Sequence, residues 1–361
     1  MKILYVGNKL SNHIVRWSNA MIARGHRVML VGDSRKGDIK TAKSKDLEER
    51  SLLFRGKLGY FLNVFQLRRI FKDFQPDVVN VHFASGYGTL ARLARLKPSV
   101  VSCYGSDIFI YPYKNLLNKA VLCANLRCAA AVASTSIAMA VEAKKILGDP
   151  SYPITVTPFG VDVNRFCPAE VHSENERPVI GIVKYLEPIY DIPLLLRAFA
   201  IVYEKSEIKP VLDIYGNGYL LDELKKLSSD LGISDSVEFH GVIANEKLPE
   251  VLQKMDVFVN CSVKESFGVA LVEAMACGIP VVATDTVGFR EVVEDGVTGI
   301  VLKDRKPETM AQALMKLLGD ADLRERLGKA GRKRVLDNYD WEKNVTVMEE
   351  LFKKVVAQNE R

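Results

Sequence analysis

Residues suited to redox or metal chemistry are sparse in this chain. Six cysteines, Cys103, Cys123, Cys128, Cys167, Cys261 and Cys277, are spread over 361 residues. They form no C-x-x-C pair and no cysteine-histidine set at zinc spacing, which excludes a zinc ribbon or a dithiol centre. Most lie in apolar strand or helix contexts, as reduced, buried thiols of a cytosolic protein do. Histidine is scarcer still, with five residues. Long apolar runs are also missing: VLCANL and AAAVAS fall far short of the roughly 18 to 20 residues that cross a bilayer, and MKILYVGNK turns polar too soon for a signal peptide. The single glycine of VGNKLSN fails the G-x-G-x-x-G fingerprint and argues against a nicotinamide enzyme. No RNP-like, helix-turn-helix or zinc pattern occurs, so nucleic acid is not an expected partner. These absences predict a cytoplasmic globular protein.

What is present is a large apolar content, 48% of residues, enough for two cores of ordinary size. Charge is divided unevenly. Residues 1–170 hold 25 Lys and Arg against 12 Asp and Glu, a net +13, while the remainder holds 25 against 32, a net −7. A basic half of this kind suits an anionic membrane, nucleic acid or an acidic substrate.

Strand and helix patterns alternate along the chain: KILYV, HIVRWSNAMIAR, RVMLV, then PDVVNVHF, GTLARLARL and SVVSCYG, with AAAVAST and PITVTP continuing. This is the α/β pattern of a parallel, doubly wound sheet. The polar run AEVHSENERP reads as a linker. A second cycle follows, from PVIGIVKYL and IPLLLRAFAIVYEK through VLDIYG, VEFHG and DVFVNC to PVVAT. The expectation is two Rossmann-like domains, 1–168 and 169–341, facing a central cleft, with a last helix at 342–361 packing back on the first.

The stretch KESFGVALVEAMACGIPVVAT, residues 264–284, carries the clearest chemistry. Strand DVFVNC ends near Cys261, a loop follows, and a helix begins close to Gly268 and closes at Gly278 and Pro280. The N–H groups of residues 268 to 271, with the helix dipole, make an anion site suited to a diphosphate. Carboxylates beside a diphosphate repel it, so Glu265 and Glu273 suit neutral hydroxyls, a sugar and a ribose. On residues alone, Glu265 as a solvated loop residue and Glu273 as a cap of a neighbouring loop stand beside that reading.

This arrangement closely resembles the signature of the retaining, GT-B-fold glycosyltransferases of family four. ARGHRVMLV, YGSD at 104–107, PFGVDVNRF at 158–166, FHGVI at 239–243 and GFREVVEDGVTGIVL at 288–302 resemble the same family in the expected order, over nearly the whole chain. The resemblance implies a nucleoside-diphosphate sugar donor, UDP-sugar by the family's habit, and a glycan or lipid-linked acceptor in cell-surface polysaccharide synthesis, with no metal and no other cofactor. Glu265 would hold the donor sugar, with the backbone of Ser266, Phe267, Gly268 and Val269 lining sugar and phosphates. Glu273 would bind the ribose. The turn at Gly216 and the backbone of Ile243 would flank the base, and Gly7 would close the first strand near the diphosphate. A nucleotide-sugar 2-epimerase on the same fold, and an inactive nucleotide-sugar-binding protein, are the rival readings.

Two departures from the family stand out. Its usual Arg and Lys clamp on the diphosphate is reduced to Lys184, with Ile189 and Asp191 where charge and Gly are customary. Tyr104 replaces a customary His, and without a large pKa shift it can position but not act as a base near neutral pH. Asp107 would orient a sugar hydroxyl or cap the next helix. His13 would reach the cleft or cap its own helix at the surface. Asp320-Ala-Asp322 matches the D-x-D metal pattern but opens the helix LRERLGKAG, so it reads as an N-cap. Finally, residues 52–72 interleave Phe54, Tyr60, Phe61, Phe65 and Phe71 with Arg55, Lys57, Arg68, Arg69 and Lys72. They read either as a contact with the inner face of an anionic membrane or as a helix packed on the first sheet.

Overall fold

The computed structural model describes residues 1–33, 41–170 and 176–359. The chain divides into two compact units. Unit 1 comprises Met1–Pro158 with Lys343–Arg361, and unit 2 comprises Phe159–Glu342. The boundary expected at 168 thus falls at 158, because PFGVDVNRF pairs inside unit 2: Val161 N–H donates to Tyr339 O at 2.8 Å and Trp341 N–H to Val161 O at 3.0 Å. Residues 171–175 of the expected linker lie outside the described residues.

Unit 1 is a seven-stranded parallel sheet of β1 (Lys2–Val6), β2 (Arg27–Gly32), β3 (Glu48–Ser51), β4 (Val78–His82), β5 (Ser99–Cys103), β6 (Ala131–Ser134) and β7 (Ile154–Val156). Their order is β3-β2-β1-β4-β5-β6-β7. Strands covered on both faces need no polar alternation, and Ile3, Leu4, Tyr5 and Val6 of β1 are all buried. The short edge strand β3, EERS, has no apolar pattern to reveal it, and its pairing with β2 supplies the only cue.

The helix over Trp341–Asn359 returns to unit 1 and buries Phe352 edge-on against Tyr5, 6.5 Å between centroids. Its Glu349 bonds Arg24 at 2.9 Å, His26 at 3.1 Å and Lys353 at 2.7 Å. The bond from Lys353, with those from Arg24 and His26, holds the Glu349 carboxyl down at about 2.

Unit 2 is a six-stranded parallel sheet of β8 (Val179–Val183), β9 (Val211–Tyr215), β10 (Val237–Gly241), β11 (Val257–Asn260), β12 (Val281–Thr284) and β13 (Ile300–Leu302), ordered β10-β9-β8-β11-β12-β13. The helix Ile192–Lys205 spaces Ile192, Leu195, Leu196, Phe199 and Val202 at helical period and buries them in the core. Each such side chain contributes about 1.5–3 kcal/mol.

Residues 52–72 do not form one helix. Helices Gly56–Leu62 and Val64–Phe74 meet at Asn63, which is buried and bonded by its side chain to the backbone of Phe54 and Gly59. Arg68 donates to the carbonyls of Leu93 and Ala94 at 2.8 and 3.1 Å, so it is a structural tie of unit 1. Asp320 accepts from Leu323 N–H at 2.8 Å, the N-cap expected of it. Among the described cysteines Cys103, Cys261 and Cys277 are buried, while Cys128 is exposed.

Candidate functional site

In a parallel sheet the loops that bind ligands leave the carboxyl ends of the strands. In unit 2 those loops collect the expected residues. Lys184 follows β8 and places its Nζ 2.7 Å from Glu265 Oε2, in the loop after β11. The same ammonium lies 4.7 Å from the centroid of the Tyr190 ring. Both partners of the pair are largely covered, with side chains 16% and 21% exposed, so solvent screens the attraction only in part. Burial, and then the neighbouring Glu265 carboxylate, raise the Tyr190 hydroxyl pKa.

The loop Cys261–Gly268 is lashed from several sides. Thr284 Oγ1 donates to Ser262 O at 2.7 Å and Gly288 N–H to Glu265 O at 3.1 Å. Phe267 is buried edge-on to Phe159 and Tyr339. Gly268 opens the helix Val269–Ala276 at φ +117°, where a Cβ would sit 2.9 Å from the Phe289 ring, so both conformation and space require glycine. Leu271 N–H already donates to Gly268 O, so the expected run of donors from 268 to 271 stops short of Leu271. Ser266, Val269 and Glu273 are half-buried, the last one turn into the helix.

Gly216, after β9, closes on the same rim. Its φ is +143° and a Cβ would lie 1.8 Å from Lys184 O. Its N–H donates to Gly241 O at 2.7 Å, tying it to the stretch that leads to half-buried Ile243.

The loop bearing Ile189 offers no second cation. Ile189 O accepts from Val263 N–H at 2.8 Å, and its side chain is exposed. Sequence reasoning missed Arg305, after β13, which donates to Cys261 O at 2.9 Å, to Ser262 O at 3.0 Å and to Asp191. Its position just beyond a strand's carboxyl end was the available signal. With its terminal nitrogens on these three partners, Arg305 organises the loops around Lys184 and Glu265 and does not replace the missing clamp residue.

The expected residues of unit 1 gather at the ends of β1, β4 and β5. Gly7 is close-packed: a Cβ there would lie 2.6 Å from Ile14 Cδ1 and 3.1 Å from His82 Cβ. The Tyr104 ring stacks on His82 and Phe83 at 4.7 and 5.4 Å, and its hydroxyl is 3.2 Å from His82 Nε2. Burial raises the Tyr104 hydroxyl pKa and lowers that of His82, so both are neutral at pH 7. Exposed His13 lies 6.1 Å from the Tyr104 ring.

Asp107 is buried, and its oxygens accept from the N–H groups of Ala84, Tyr104 and Gly105 at 2.9, 3.1 and 2.8 Å. Asp107 lies inside the short helix Ser106–Phe109, whose N-cap is Gly105, so it is not the helix cap, and its carboxylate fastens the loop after β4 to the loop after β5.

A family model described as glycosyl transferases group 1 matches residues 166–334, and one described as glycosyl transferase 4-like matches residues 2–136. The chain belongs to the glycosyltransferase family four, with the GT-B fold. Among curated relatives of this family member, the GDP-mannose-dependent alpha-(1-6)-phosphatidylinositol monomannoside mannosyltransferase of Mycolicibacterium smegmatis is 33% identical over 207 residues, 53% of this chain and 54% of that one. The D-inositol 3-phosphate glycosyltransferase of Corynebacterium jeikeium is 31% identical over 224 residues, 58% and 53% of the two chains. The aligned region thus spans about half the length of these curated relatives. Among solved structures, sucrose-phosphate synthase from Thermosynechococcus elongatus superposes with TM-score 0.82 at 19% identity, over 99% of this chain and 100% of that one. Anabaena HepE, in complex with UDP and glucose, superposes with TM-score 0.77 at 20% identity, over 98% and 100%. At such identities the superpositions speak for the fold.

Proposed function

We propose that the protein is a retaining glycosyltransferase that moves a sugar from a nucleoside-diphosphate sugar to a glycan or lipid-linked acceptor of the cell surface. The observation that carries this reading is the Lys184–Glu265 pair at the rim of unit 2, beside the Gly268 helix start. A diphosphate at that helix N-terminus gains the ammonium of Lys184 and the first free N–H groups, which stabilise the charge that develops as the sugar leaves. Glu265, released from part of its ion pair, accepts from sugar hydroxyls, and Glu273 from ribose hydroxyls. Retention follows if the acceptor attacks on the face that the diphosphate vacates, with a leaving-group oxygen taking the acceptor's proton. No protein base is then required, in keeping with a neutral Tyr104 and an engaged Asp107.

Names among the relatives divide the donor between GDP-mannose and UDP; UDP is retained as the first donor to test. An epimerase would need histidine and carboxylate pairs at the donor rim. Of the four described histidines only His240 belongs to unit 2, and it lies on a strand face.

The acceptor side favours a membrane surface. Leu53, Leu58, Phe61 and Phe65 are 74%, 72%, 59% and 79% exposed, beside Arg55, Lys57 and Arg69 in the strongly basic half of the chain. Apolar tips among cations match an anionic bilayer interface. The test is a thermal-shift series against UDP and GDP, followed by sugar transfer from the better binder's sugars. Ligand at 100 times its Kd adds about 2.7 kcal/mol. Stabilisation by one nucleotide that Lys184→Ala loses supports the reading, and indifference of the protein to both nucleotides overturns it.

A further inference from the structure

Beyond glycosyl transfer, we propose that Asp213, Glu238 and His240 form a binding site for a divalent transition-metal ion, zinc(II) foremost, on the β9–β10 edge of unit 2. Strand period 2 puts Glu238 and His240 on one face of β10, and the parallel register sets Asp213 of β9 opposite Glu238. The pairing shifts between Phe239 and Gly241, at His240, an irregularity that re-aims a side chain. Leu212, Ile214 and Phe239 point to the core on the other face.

The three donor atoms converge. His240 Nε2 is 3.0 Å from Asp213 Oδ1 and 3.6 Å from Glu238 Oε2, and all three atoms lie within 4.8 Å of one another. Two donors each about 2.1 Å from one ion stand roughly 3.0 to 3.4 Å apart, so the His240–Asp213 edge, at 3.0 Å, already has the spacing of a coordination shell, and the His240–Glu238 edge, at 3.6 Å, is slightly wide. Glu238, 65% exposed, has the freedom to close the third edge. The His240 ring is stacked on Tyr215 with centroids 4.3 Å apart and planes 10° apart, which holds the plane of the imidazole. One imidazole and two carboxylates suit zinc, cobalt or manganese better than a soft cation, and the partial exposure of the set leaves room for water in the remaining positions.

The consequence is mechanical. β10 is the edge strand, paired on one side only. An ion shared with β9 staples that edge beside Gly241, whose carbonyl holds Gly216 on the donor rim. The site lies on a strand face and carries no step of the transfer.

The test uses the full chain without a polyhistidine tag, stripped with chelator and dialysed against zinc chloride, with cobalt(II) absorption as a second readout. We expect one equivalent bound, with affinity at least about tenfold lower in His240→Ala and in Glu238→Gln. Glu238 is too exposed for its amide variant to unfold the chain, so that variant guards against loss through misfolding. Absence of stoichiometric binding, or binding that both variants retain, overturns the proposal. Because neither donor nor acceptor enters the assay, its outcome is separate from that of the transfer assay.

Discussion

At the carboxyl ends of β8 and β11, unit 2 sets Lys184 against Glu265 and braces both loops with Arg305 on Asp191. At the ends of β1, β4 and β5, unit 1 sets Gly7, His82 and Tyr104 in a close-packed aromatic cluster whose titratable groups burial keeps neutral. One architecture thus carries an ion pair at the strand ends of one unit and a neutral stack of His82 and Tyr104 at those of the other. Charges compensate a diphosphate, whereas neutral hydroxyl and imidazole groups suit hydroxyls that must remain uncharged until they react. The contrast separates residues that handle charge from residues that only shape space.

That separation can be broken experimentally, and the largest effect belongs to the ion pair. Glu265→Ala should lower kcat/KM for transfer by about 100-fold or more, the scale of one lost transition-state contact, with the melting temperature little changed. Wild-type turnover in this variant would remove Glu265 from the site. In unit 1, Asp107→Ala should act on stability: it strands three backbone donors, at about 1–3 kcal/mol for each buried group left unpaired. Denaturant titration measures this, and a variant as stable as wild type would overturn the reading of Asp107 as a tie between the two loops.

A smaller effect, confined to a pH window, is expected at Glu349. Its folded pKa of about 2 lies below the ordinary 4.5, so its contribution is complete above pH 4.5 and fades as pH falls toward 2. The melting temperature of Glu349→Gln should therefore trail wild type at pH 7 and converge with it near pH 2; a gap independent of pH would show that the ion cluster is not its cause. The smallest effect is Phe65→Ser, which should weaken flotation with phosphatidylglycerol vesicles severalfold and leave the melting temperature unmoved. Equal flotation would leave residues 52–72 as a packed helix pair.

Most of the fold was legible because buried parallel strands are unbroken apolar runs and amphipathic helices repeat their apolar residues every three to four positions: KILYV coincides with its strand and IPLLLRAFAIVYEK with its helix. EERS was not, since an edge strand needs no apolar face. The helix break at Asn63 was hidden because one buried amide satisfies the backbone where a sequence shows only continued amphipathicity. At the candidate site, the helix start at Gly268 could be read from the glycine and the apolar run that follows it. The role of Asp107 could not, because one partner, Ala84, is 23 residues away, and Arg305 reaches Asp191 over 114 residues.

The return of the last helix makes unit 2, in effect, an insertion within unit 1. During synthesis the sheet of unit 1 therefore emerges first, yet Glu349 and Phe352, which close it over Arg24 and Tyr5, arrive only after the whole of unit 2 has left the ribosome. A nascent chain stopped anywhere before Lys343 would lack the Phe352 contact on Tyr5 and the Glu349 contact on Arg24, so the last turn of folding in unit 1 waits on the end of the chain.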